Sequence, residues 1–316
     1  MKKRIEPIKS DTERQSYVNK LESGTTKETM DTLTKQRYSS ASLTALTSDW
    51  NTFAQFCEIN AHKALPTSEA TLENFIAHLS KSKKFNTIRR SIVNLGTINT
   101  VLFNKNPSNG PIIKQILAKL SVSDIHKSKN PRPLTLDDLY RLRLALSKDM
   151  NEKNIRDLLV AHIMFDCAMK RHEVVEMSVT DIETTLTFAV INGDRYPLNK
   201  STTELLRKWF ELIDNGQYLI RSIDRHGNIA DDKIDESSVH RILKRIAKLL
   251  KLPEYSSLTP QSARVGAIRH LHDDGVNIND IKHFARYKTK AMPVQYIHGE
   301  DAARNEFYKE IGHQQG

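Results

Sequence analysis

The chain has 316 residues, of which 48 are Lys or Arg and 38 are Asp or Glu, so its formal net charge is +10. This length is sufficient for two domains that each bury a core. The positive charge makes a polyanion, and nucleic acid first, the expected partner, although charge alone is equally compatible with a basic protein that binds no polyanion.

The sequence lacks the signals of export, membrane insertion and cofactor binding. Residues 1–15, MKKRIEPIKSDTERQ, are charged and contain no apolar run, and no stretch approaches the run of about 18 apolar residues that a membrane span needs. Cys57 and Cys167 lie in apolar surroundings without metal-ligand spacing. They indicate reduced core residues and a cytoplasmic location. No Gly-rich phosphate loop, HExxH or CxxC occurs, so no metal or other cofactor is expected.

The first part of the chain predicts a helical domain after a polar tail. Residues 1–35 are polar and poor in aromatic residues, which favours a mobile tail or a short docking helix. Within 36–120, apolar residues recur at helical spacing in four segments, which predicts a compact helical, DNA-binding domain. The third of these segments carries Arg89 and Arg90 opposite its apolar side, so both are candidate DNA contacts.

Residues 121–133, SVSDIHKSKNPRP, lose this apolar periodicity and mark the best domain boundary in the chain. They contain Lys127, Lys129 and Arg132. A basic linker between two domains can lie along a phosphate backbone, so these three residues are candidate DNA contacts. A solvated linker without such contacts is equally compatible with this segment.

Residues 134–316 predict a second, mostly helical domain with a small antiparallel sheet. Thr135 is the natural N-cap of its first helix. Two β-like runs flank Asn192-Gly193-Asp194, which is a strong hairpin signal. The fold class is therefore mainly α, with helices expected at 154–169, 172–177, 201–213, 236–250, 261–274, 278–284, 290–297 and near 301–311.

One segment of this second domain has a specific resemblance. The text SARVGAIRHLHDDGVNINDIKHFARYKTKAMPVQYI resembles the carboxy-terminal signature of the tyrosine recombinases, the phage integrase family. Its SARVGA opening and its K-x-x-x-M-x-x-x-Y rhythm are most similar to the Cre-type branch. The resemblance covers both domains in order and implies a SAM-like helical core-binding domain, a basic linker and a catalytic domain, although its specific part is confined to residues 264–296.

The resemblance implies DNA strand transfer without a metal. In this family a tyrosine attacks the scissile phosphate, which leaves a 3′-phosphotyrosyl link and a free 5′-hydroxyl. Two arginines hold the non-bridging oxygens, because a planar guanidinium pairs bidentately with phosphate. A lysine on the sheet hairpin protonates the leaving oxygen, and a histidine together with a histidine or tryptophan completes the pocket.

Three positions of this pocket match the family well. Tyr296 takes the position of the nucleophile. Tyr287, nine residues earlier, takes the position of the histidine or tryptophan and keeps a ring with a hydrogen-bonding tip. Arg264 matches the second arginine. The resemblance therefore assigns all three to the catalytic pocket, against the alternatives of a half-buried structural tyrosine and a surface arginine.

Three other positions depart from the family pattern. In the segment AMKRHE, Lys170 replaces the first arginine, which keeps the charge but loses the bidentate fork, while Glu173 matches the acid. Gln261 replaces the usual histidine and cannot exchange a proton near neutral pH. The hairpin offers Arg195 and no lysine, and arginine is a poor proton donor. These changes impair proton transfer more than phosphate binding.

Two functions remain open at this point. The first is a site-specific recombinase that uses Tyr296, whether alone or with a partner recombinase. The second is a catalytically impaired recombinase-fold protein that acts as a site-specific DNA-binding accessory or regulatory factor. In both cases double-stranded DNA is the partner and no membrane is involved. The sequence favours DNA binding strongly and leaves strand cleavage undecided.

The segment after Tyr296, GEDAARNEFYKEIGHQQG from Gly299, predicts a last helix with Phe307 and Ile311 on its apolar side. The resemblance to Cre-type proteins implies that this helix docks into a neighbouring protomer and builds a homo-oligomer on DNA. The alternative is that both apolar side chains pack on their own domain.

Overall fold

The computed structural model describes residues 5–125, 131–214, 216–253 and 257–299, together with 302 and 306. The chain divides into two compact units, Met1–Ser128 and Lys129–Gly316. Lys127 and Lys129 of the predicted basic linker lie outside the described residues. Within the described ranges, no helix is long and apolar enough to cross a membrane.

The first unit is helical, and polar residues placed before its helices explain where several of them begin. Side chains of Ser10, Thr26, Ser39 and Ser68 each accept a hydrogen bond from a backbone N–H in the first turn that follows. The elements are α1 (Asp11–Leu21), α2 (Lys27–Leu33), α3 (Ser40–Ile59), α4 (Glu69–Ser80), α5 (Phe85–Phe103), a 3₁₀ turn (Pro107–Asn109) and α6 (Pro111–Ile125).

Of the two alternatives for residues 1–35, a mobile tail or a short docking helix, the described part agrees with the helical one. This segment contributes α1 and α2, and its apolar residues belong to the core of the first unit. The indole of Trp50 donates to the carbonyl of Leu21 at 2.9 Å, and the amide of Ile8 donates to the carbonyl of Val101 at 2.8 Å. The segment is polar on average, but it contains a few well-spaced apolar residues that are buried on folding. These are Ile5, Ile8, Leu21, Met30 and Leu33.

A buried carboxylate ties α3 to α5 within this unit. Asp49 on α3 accepts hydrogen bonds from Ser91 at 2.7 Å and from Asn94 at 2.7 Å. It also accepts two bonds from the guanidinium of Arg90, at 2.9 and 3.0 Å. A buried charge that is fully hydrogen-bonded in this way fixes the two helices to each other. Arg90 therefore has a structural role in addition to any contact with DNA.

The second unit contains eight helices among its described residues. The predicted N-cap of the first is confirmed, because Thr135 accepts from the amide of Asp138 at 3.1 Å and Asp138 accepts from the amide of Thr135 at 3.0 Å. The elements are α7 (Leu136–Leu146), α8 (Glu152–Asp166), α9 (Arg171–Glu176), a 3₁₀ turn (Val179–Asp181), α10 (Lys200–Phe210), α11 (Glu236–Leu249), α12 (Pro260–Asp273), α13 (Ile278–Phe284) and α14 (Ala291–His298).

Two separate antiparallel strand pairs complete this unit. The predicted hairpin pairs β1 (Phe188–Ile191) with β2 (Asp194–Pro197) around Asn192 and Gly193, both at positive φ as this turn requires. A second pair, β3 (Arg221–Ile223) with β4 (Ile229–Lys233), was not expected, because β4 is polar and shows no alternating apolar pattern. The prediction of a mostly helical fold with a small antiparallel sheet is confirmed.

Helix α8 is the centre of the second unit, and α12 packs tightly beside it. The backbone of residue 134 crosses close to α12, where the amide of Leu134 donates to the carbonyl of Ser262 at 2.9 Å. A Cβ atom on Gly266 would lie 1.8 Å from the carbonyl oxygen of Leu134, so only glycine permits this approach. The SARVGA segment is thus held rigidly at the start of α12.

Candidate active site

Four segments of the second unit bring the site together. Pro260 begins α12, which carries Gln261 and Arg264 on one face because the two residues are three positions apart. The turn between α13 and α14 carries Tyr287, and α14 carries Tyr296. Helix α14 is fixed to α12 by Arg269, whose Nε donates to the carbonyl of Tyr296 at 2.9 Å. The fourth segment, 167–170, joins α8 to α9.

Gln261 connects the two tyrosines. Its Nε2 donates to Oη of Tyr296 at 2.7 Å and to Oη of Tyr287 at 3.1 Å. The two ring centroids are 6.4 Å apart. Burial and the neighbouring Tyr287 raise the pKa of Tyr296, and the Gln261 hydrogen bond and the positive charge of Arg264 offset only part of this rise. Tyr296 is therefore held as a neutral, hydrogen-bonded phenol.

Arg264 is fully buried beside this pair. Its guanidinium donates to the carbonyls of Ala168 at 2.8 Å and Ala285 at 2.5 Å. Its Nε donates to Oη of Tyr287 at 3.3 Å, and its guanidinium carbon lies 4.5 Å from the centroid of the Tyr287 ring. No carboxylate is among these partners, so the charge of Arg264 is oriented but not neutralised by them.

Lys170 lies at the edge of the site. It is the N-cap of α9, and its backbone amide donates to Oε2 of Glu173 at 2.7 Å. Its Nζ lies 3.3 Å from Oε1 of the same carboxylate, while its side chain remains 40% exposed. Arg171 does not join the site, because its Nε donates to Glu236 on α11 at 2.7 Å. Of these two neighbouring cations, Lys170 is the one that faces the pocket carboxylate.

Arg286 is a member of this site that the sequence reasoning missed. Its Nε and Nη2 donate to the two oxygens of Glu173 at 3.1 and 2.7 Å, and Nη2 also donates to the carbonyls of Cys167 and Ala168 at 3.0 and 3.1 Å. Arg264 and Arg286 therefore meet at one oxygen, that of Ala168. The available signal was an arginine directly before Tyr287, inside the segment that carries the resemblance.

The electrostatics of Glu173 depend on Arg286. Burial by itself raises the pKa of this carboxyl group, but hydrogen bonds from Arg286 and from the Lys170 amide outweigh burial and bring the pKa to about 2. Burial lowers the pKa of Arg286, whereas its hydrogen bonds with Glu173 and Tyr196 raise it, and the net shift is upward. Both groups are thus charged near neutral pH.

The β1–β2 hairpin presents Arg195 to solvent. Its guanidinium donates to the two carboxylate oxygens of Glu183 at 2.6 and 2.8 Å and stacks over the ring of Phe188 at 4.1 Å. Tyr196, the next residue, is buried, and its ring centroid lies 4.8 Å from the guanidinium carbon of Arg286. The hairpin strands and their turn contain no lysine.

Some of the remaining predicted DNA contacts are paired with carboxylates of the same chain. Arg89 is exposed on α5, whereas Arg90 is paired with Asp49. Arg132 donates to both oxygens of Asp138 at 2.7 and 2.9 Å, so it stabilises the start of α7. Among the described residues, no group of His, Cys, Asp or Glu side chains has the arrangement of a metal site.

Comparison with known proteins finds relatives that match most of the chain. The chain is 23% identical over 294 residues to the integrase/recombinase xerD homolog of Selenomonas ruminantium. The aligned region covers 84% of this chain and 85% of the relative. It is 20% identical over 298 residues to recombinase cre of Escherichia phage P1, with 85% and 87% covered. The fold is similar to that of the Tn1549 transposon integrase in complex with circular intermediate DNA, at a TM-score of 0.64 and 12% identity over 93% of this chain and 98% of that one.

The family assignment depends on the second unit. Residues 133–303 match the profile of the phage integrase family. This range is more than half of the chain and contains the whole cluster from Lys170 to Tyr296. The protein therefore belongs to the phage integrase family, that of the tyrosine recombinases.

Proposed function

We propose that the protein is a site-specific DNA recombinase of the Cre-like branch, in which Tyr296 is the nucleophile. The observation that carries this proposal is the double hydrogen bond from Gln261 to the hydroxyls of Tyr296 and Tyr287, with Arg264 bonded to the second hydroxyl. The proposed nucleophile, its hydrogen-bond partner and a buried cation are thus linked by one chain of hydrogen bonds. The relatives named recombinase and integrase support the same activity.

In the proposed reaction, Oη of Tyr296 attacks the phosphorus of a DNA phosphodiester. A P–O bond to tyrosine forms, the bond to the 5′-oxygen breaks, and the strand ends are a 3′-phosphotyrosine and a 5′-hydroxyl. Arg264 and Lys170 stabilise the charge on the non-bridging oxygens. Gln261 orients the phenol through its amide but takes no proton, so the phenolic proton passes to solvent water and the leaving 5′-oxygen takes its proton from water. Attack of the 5′-hydroxyl of another strand on the phosphotyrosine then completes strand transfer.

The departures from the family pattern predict a slow reaction. Gln261 replaces a residue that exchanges protons, and the hairpin offers no lysine to protonate the leaving oxygen. Loss of one such contribution typically costs about 10²–10⁴-fold in rate. We therefore expect strand cleavage to be detectable as a trapped adduct rather than as rapid turnover.

DNA binding is proposed to use both units. Arg89 and Arg90 on α5, Lys127, Lys129 and Arg132 near the boundary, and Arg195 on the hairpin would contact phosphates outside the pocket. Arg90, Arg132 and Arg195 each share their charge with a carboxylate in the free protein. Phosphate contacts release counterions, so affinity should fall steeply between low and moderate salt. An affinity that stays constant over this range would contradict the proposed contacts.

The experiment that tests the function is adduct trapping on a library of nicked duplexes of random sequence. A nick beside the attacked phosphate lets the short 5′-hydroxyl fragment diffuse away, which makes the covalent complex accumulate. Sequencing of the adducts would give the preferred site, and Tyr296→Phe is the matched control. Adducts that depend on Tyr296 support recombinase chemistry, whereas tight binding without any adduct would refute it.

A second candidate function is a DNA-binding accessory factor without cleavage. The observation that favours it is Arg195, which occupies the hairpin in place of a proton-donating lysine and is itself paired with Glu183. Under this alternative, Tyr296→Phe would leave every property of the protein on DNA unchanged. The trapping experiment therefore separates the two candidates.

Assembly is proposed to involve the segment after Gly299. As in Cre-type proteins, a terminal helix would dock into a neighbouring protomer and build a homo-oligomer on DNA, or would dock into a partner recombinase. Two residues of this segment are described, and one of them, Glu306, lies 3.7 Å from Lys290 of its own chain. This ion pair supports a position of Glu306 near the start of α14.

A further inference from the structure

Glu173 is a buried carboxylate that two cations share unequally. Arg286 binds it with two hydrogen bonds, at 2.7 and 3.1 Å, and only 9% of the Arg286 side chain is exposed. Lys170 approaches a single oxygen at 3.3 Å and is 40% exposed. A bidentate guanidinium in a buried setting binds a carboxylate more strongly than a solvated ammonium does. The carboxylate therefore belongs mainly to Arg286.

This unequal sharing matters because Lys170 takes the position of a phosphate-binding residue. An ammonium that is fully neutralised by a carboxylate has little charge left for a phosphate, and breaking the pair would cost free energy on binding. With Arg286 present, the cluster holds three cations, Lys170, Arg264 and Arg286, against one carboxylate. Without Arg286, Glu173 would be left to Lys170 alone.

We propose that Arg286 is a positioning residue that takes up the charge of Glu173 and so leaves Lys170 available for the scissile phosphate. The inference rests on the proposed recombinase function for its catalytic consequence, but not for its claim about Lys170. Arg286 also holds the carbonyls of Cys167 and Ala168, directly before Lys170. Its guanidinium thus fixes both the backbone and the charge of the turn from which Lys170 extends.

Arg286 has a backbone conformation that is unusual for an arginine, and this argues for a specific role of its side chain. Its φ is +55°, in the left-handed region that favours glycine, so an arginine here is conformationally costly. In return, its side chain reaches Glu173, two backbone carbonyls and the ring of Tyr196. This set of contacts offsets the backbone strain and supplies a guanidinium to a pocket whose first arginine is replaced by Lys170.

The first test measures Lys170 directly and needs no DNA. Brief acylation with acetic anhydride, read by mass spectrometry, reports the reactivity of Lys170 relative to the exposed Lys148. Arg286→Gln should slow acylation of Lys170 about three- to fivefold, because Glu173 then pairs with the ammonium. Glu173→Gln combined with Arg286→Gln should restore it. Equal reactivity in the wild type and in Arg286→Gln would overturn the inference.

The second test uses covalent adduct formation on the nicked random duplexes. We expect Arg286→Gln to lose about 10²-fold in adduct yield at fixed time. The double variant Glu173→Gln/Arg286→Gln should recover at least about tenfold of this loss, because removal of the carboxylate frees Lys170 again. A purely structural role predicts the opposite, namely a double variant that is no better than the single one, and that result would overturn the inference.

One further variant and the combination of the two measurements keep the outcomes separate. Arg286→Lys retains a charge beside Glu173 and should keep Lys170 acylation near the wild-type rate, and a slowing of about three- to fivefold in this folded variant would overturn the inference. If no variant forms an adduct while the acylation pattern follows the expectation, the proposed recombinase function fails and the assignment of Glu173 to Arg286 stands. If the wild type forms adducts but the acylation rates do not differ, the inference alone fails.

Discussion

Gln261 and Tyr296 are joined by a hydrogen bond of 2.7 Å between the side-chain amide of the first and the phenolic oxygen of the second. In this family a histidine is usual at the position of Gln261. The amide reproduces the geometry of a donor to the tyrosine but offers no group that titrates near neutral pH. Under the proposed function, the site therefore keeps Tyr296 oriented for attack while it lacks one route for proton transfer.

This relationship predicts that Gln261→His will increase strand cleavage. An imidazole at this position has an unperturbed pKa of about 6.5 and can exchange a proton with Tyr296 or with the leaving oxygen. We expect the rate of adduct formation on a nicked duplex to rise about tenfold or more and to acquire a pH dependence between about pH 6 and 7. Single-turnover adduct rates across this pH range would measure it.

The matched control for this change is Gln261→Leu. Leucine fills a similar volume but removes both hydrogen bonds, so the two hydroxyls lose their shared partner. Adduct formation should then fall below the wild-type rate. If Gln261→His and Gln261→Leu change the rate equally, the residue acts only through packing and the proposed orientation of Tyr296 is wrong.

Arg264 and Tyr296 should differ in what they contribute to DNA binding. In the proposed reaction the arginine holds a phosphate before the chemical step, whereas the tyrosine hydroxyl matters mainly during attack. We expect Arg264→Ala to weaken binding to duplex DNA by about tenfold or more and Tyr296→Phe to change it less than about threefold. Fluorescence anisotropy titrations at fixed salt would show the difference.

A control for folding accompanies the arginine change, because Arg264 also binds the carbonyls of Ala168 and Ala285. Arg264→Lys keeps the charge and should retain more affinity than Arg264→Ala, while circular dichroism reports whether each variant is folded. Equal losses of affinity from Arg264→Ala and Tyr296→Phe, both folded, would mean that the phosphate pocket lies elsewhere.

The sequence could predict the core of this site because its members are close along the chain. Gln261 and Arg264 lie one helical turn apart, and Tyr287 and Tyr296 belong to the same signature segment. Regular helix geometry converts such spacings into positions on a face. The structure brings these four residues together, and it places Lys170 beside them through the carboxylate of Glu173.

Other features depend on contacts between distant residues and leave little trace in a single sequence. Glu173 and Arg286 are 113 positions apart, so no local pattern predicts their ion pair. The burial of the amino-terminal segment was missed for a related reason, because it depends on partners such as Trp50 and Val101. Average polarity describes a segment in isolation, whereas burial depends on what packs against it.

The burial of His162 should make the stability of the protein depend on pH, independently of the candidate active site. Its ring is buried on α8, and neither ring nitrogen has a hydrogen-bond partner among the described residues. Burial and the positive charge of Arg143 lower its pKa to about 4, whereas the unfolded chain titrates near 6.5. The contribution of His162 to the free energy of unfolding is therefore fully present above about pH 6.5. It is lost as the pH falls towards 4, which lowers the free energy of unfolding by about 3 kcal/mol in all.

Urea denaturation at pH 7 and pH 4.5 would test this. The substitution His162→Phe removes the titrating ring and an unsatisfied polar group while keeping an aromatic side chain. The drop in unfolding free energy between the two pH values should be smaller in this variant than in the wild type. His172→Gln, at an exposed histidine, should leave that drop unchanged. Parallel pH dependence of the wild type and His162→Phe would show that His162 is solvated.

Truncation after Glu300 tests the proposed assembly. A helix that is donated head to tail matters only when two or more protomers are bound side by side, so single-site binding should remain nearly intact while cooperative binding to paired sites is lost. Electrophoretic mobility shifts on one-site and two-site duplexes would measure both. The double substitution Phe307→Ala/Ile311→Ala is the matched variant, since it removes the predicted apolar side and keeps the backbone. If either variant unfolds or loses single-site binding, the segment belongs to its own domain, and the pair between Lys290 and Glu306 is part of that packing.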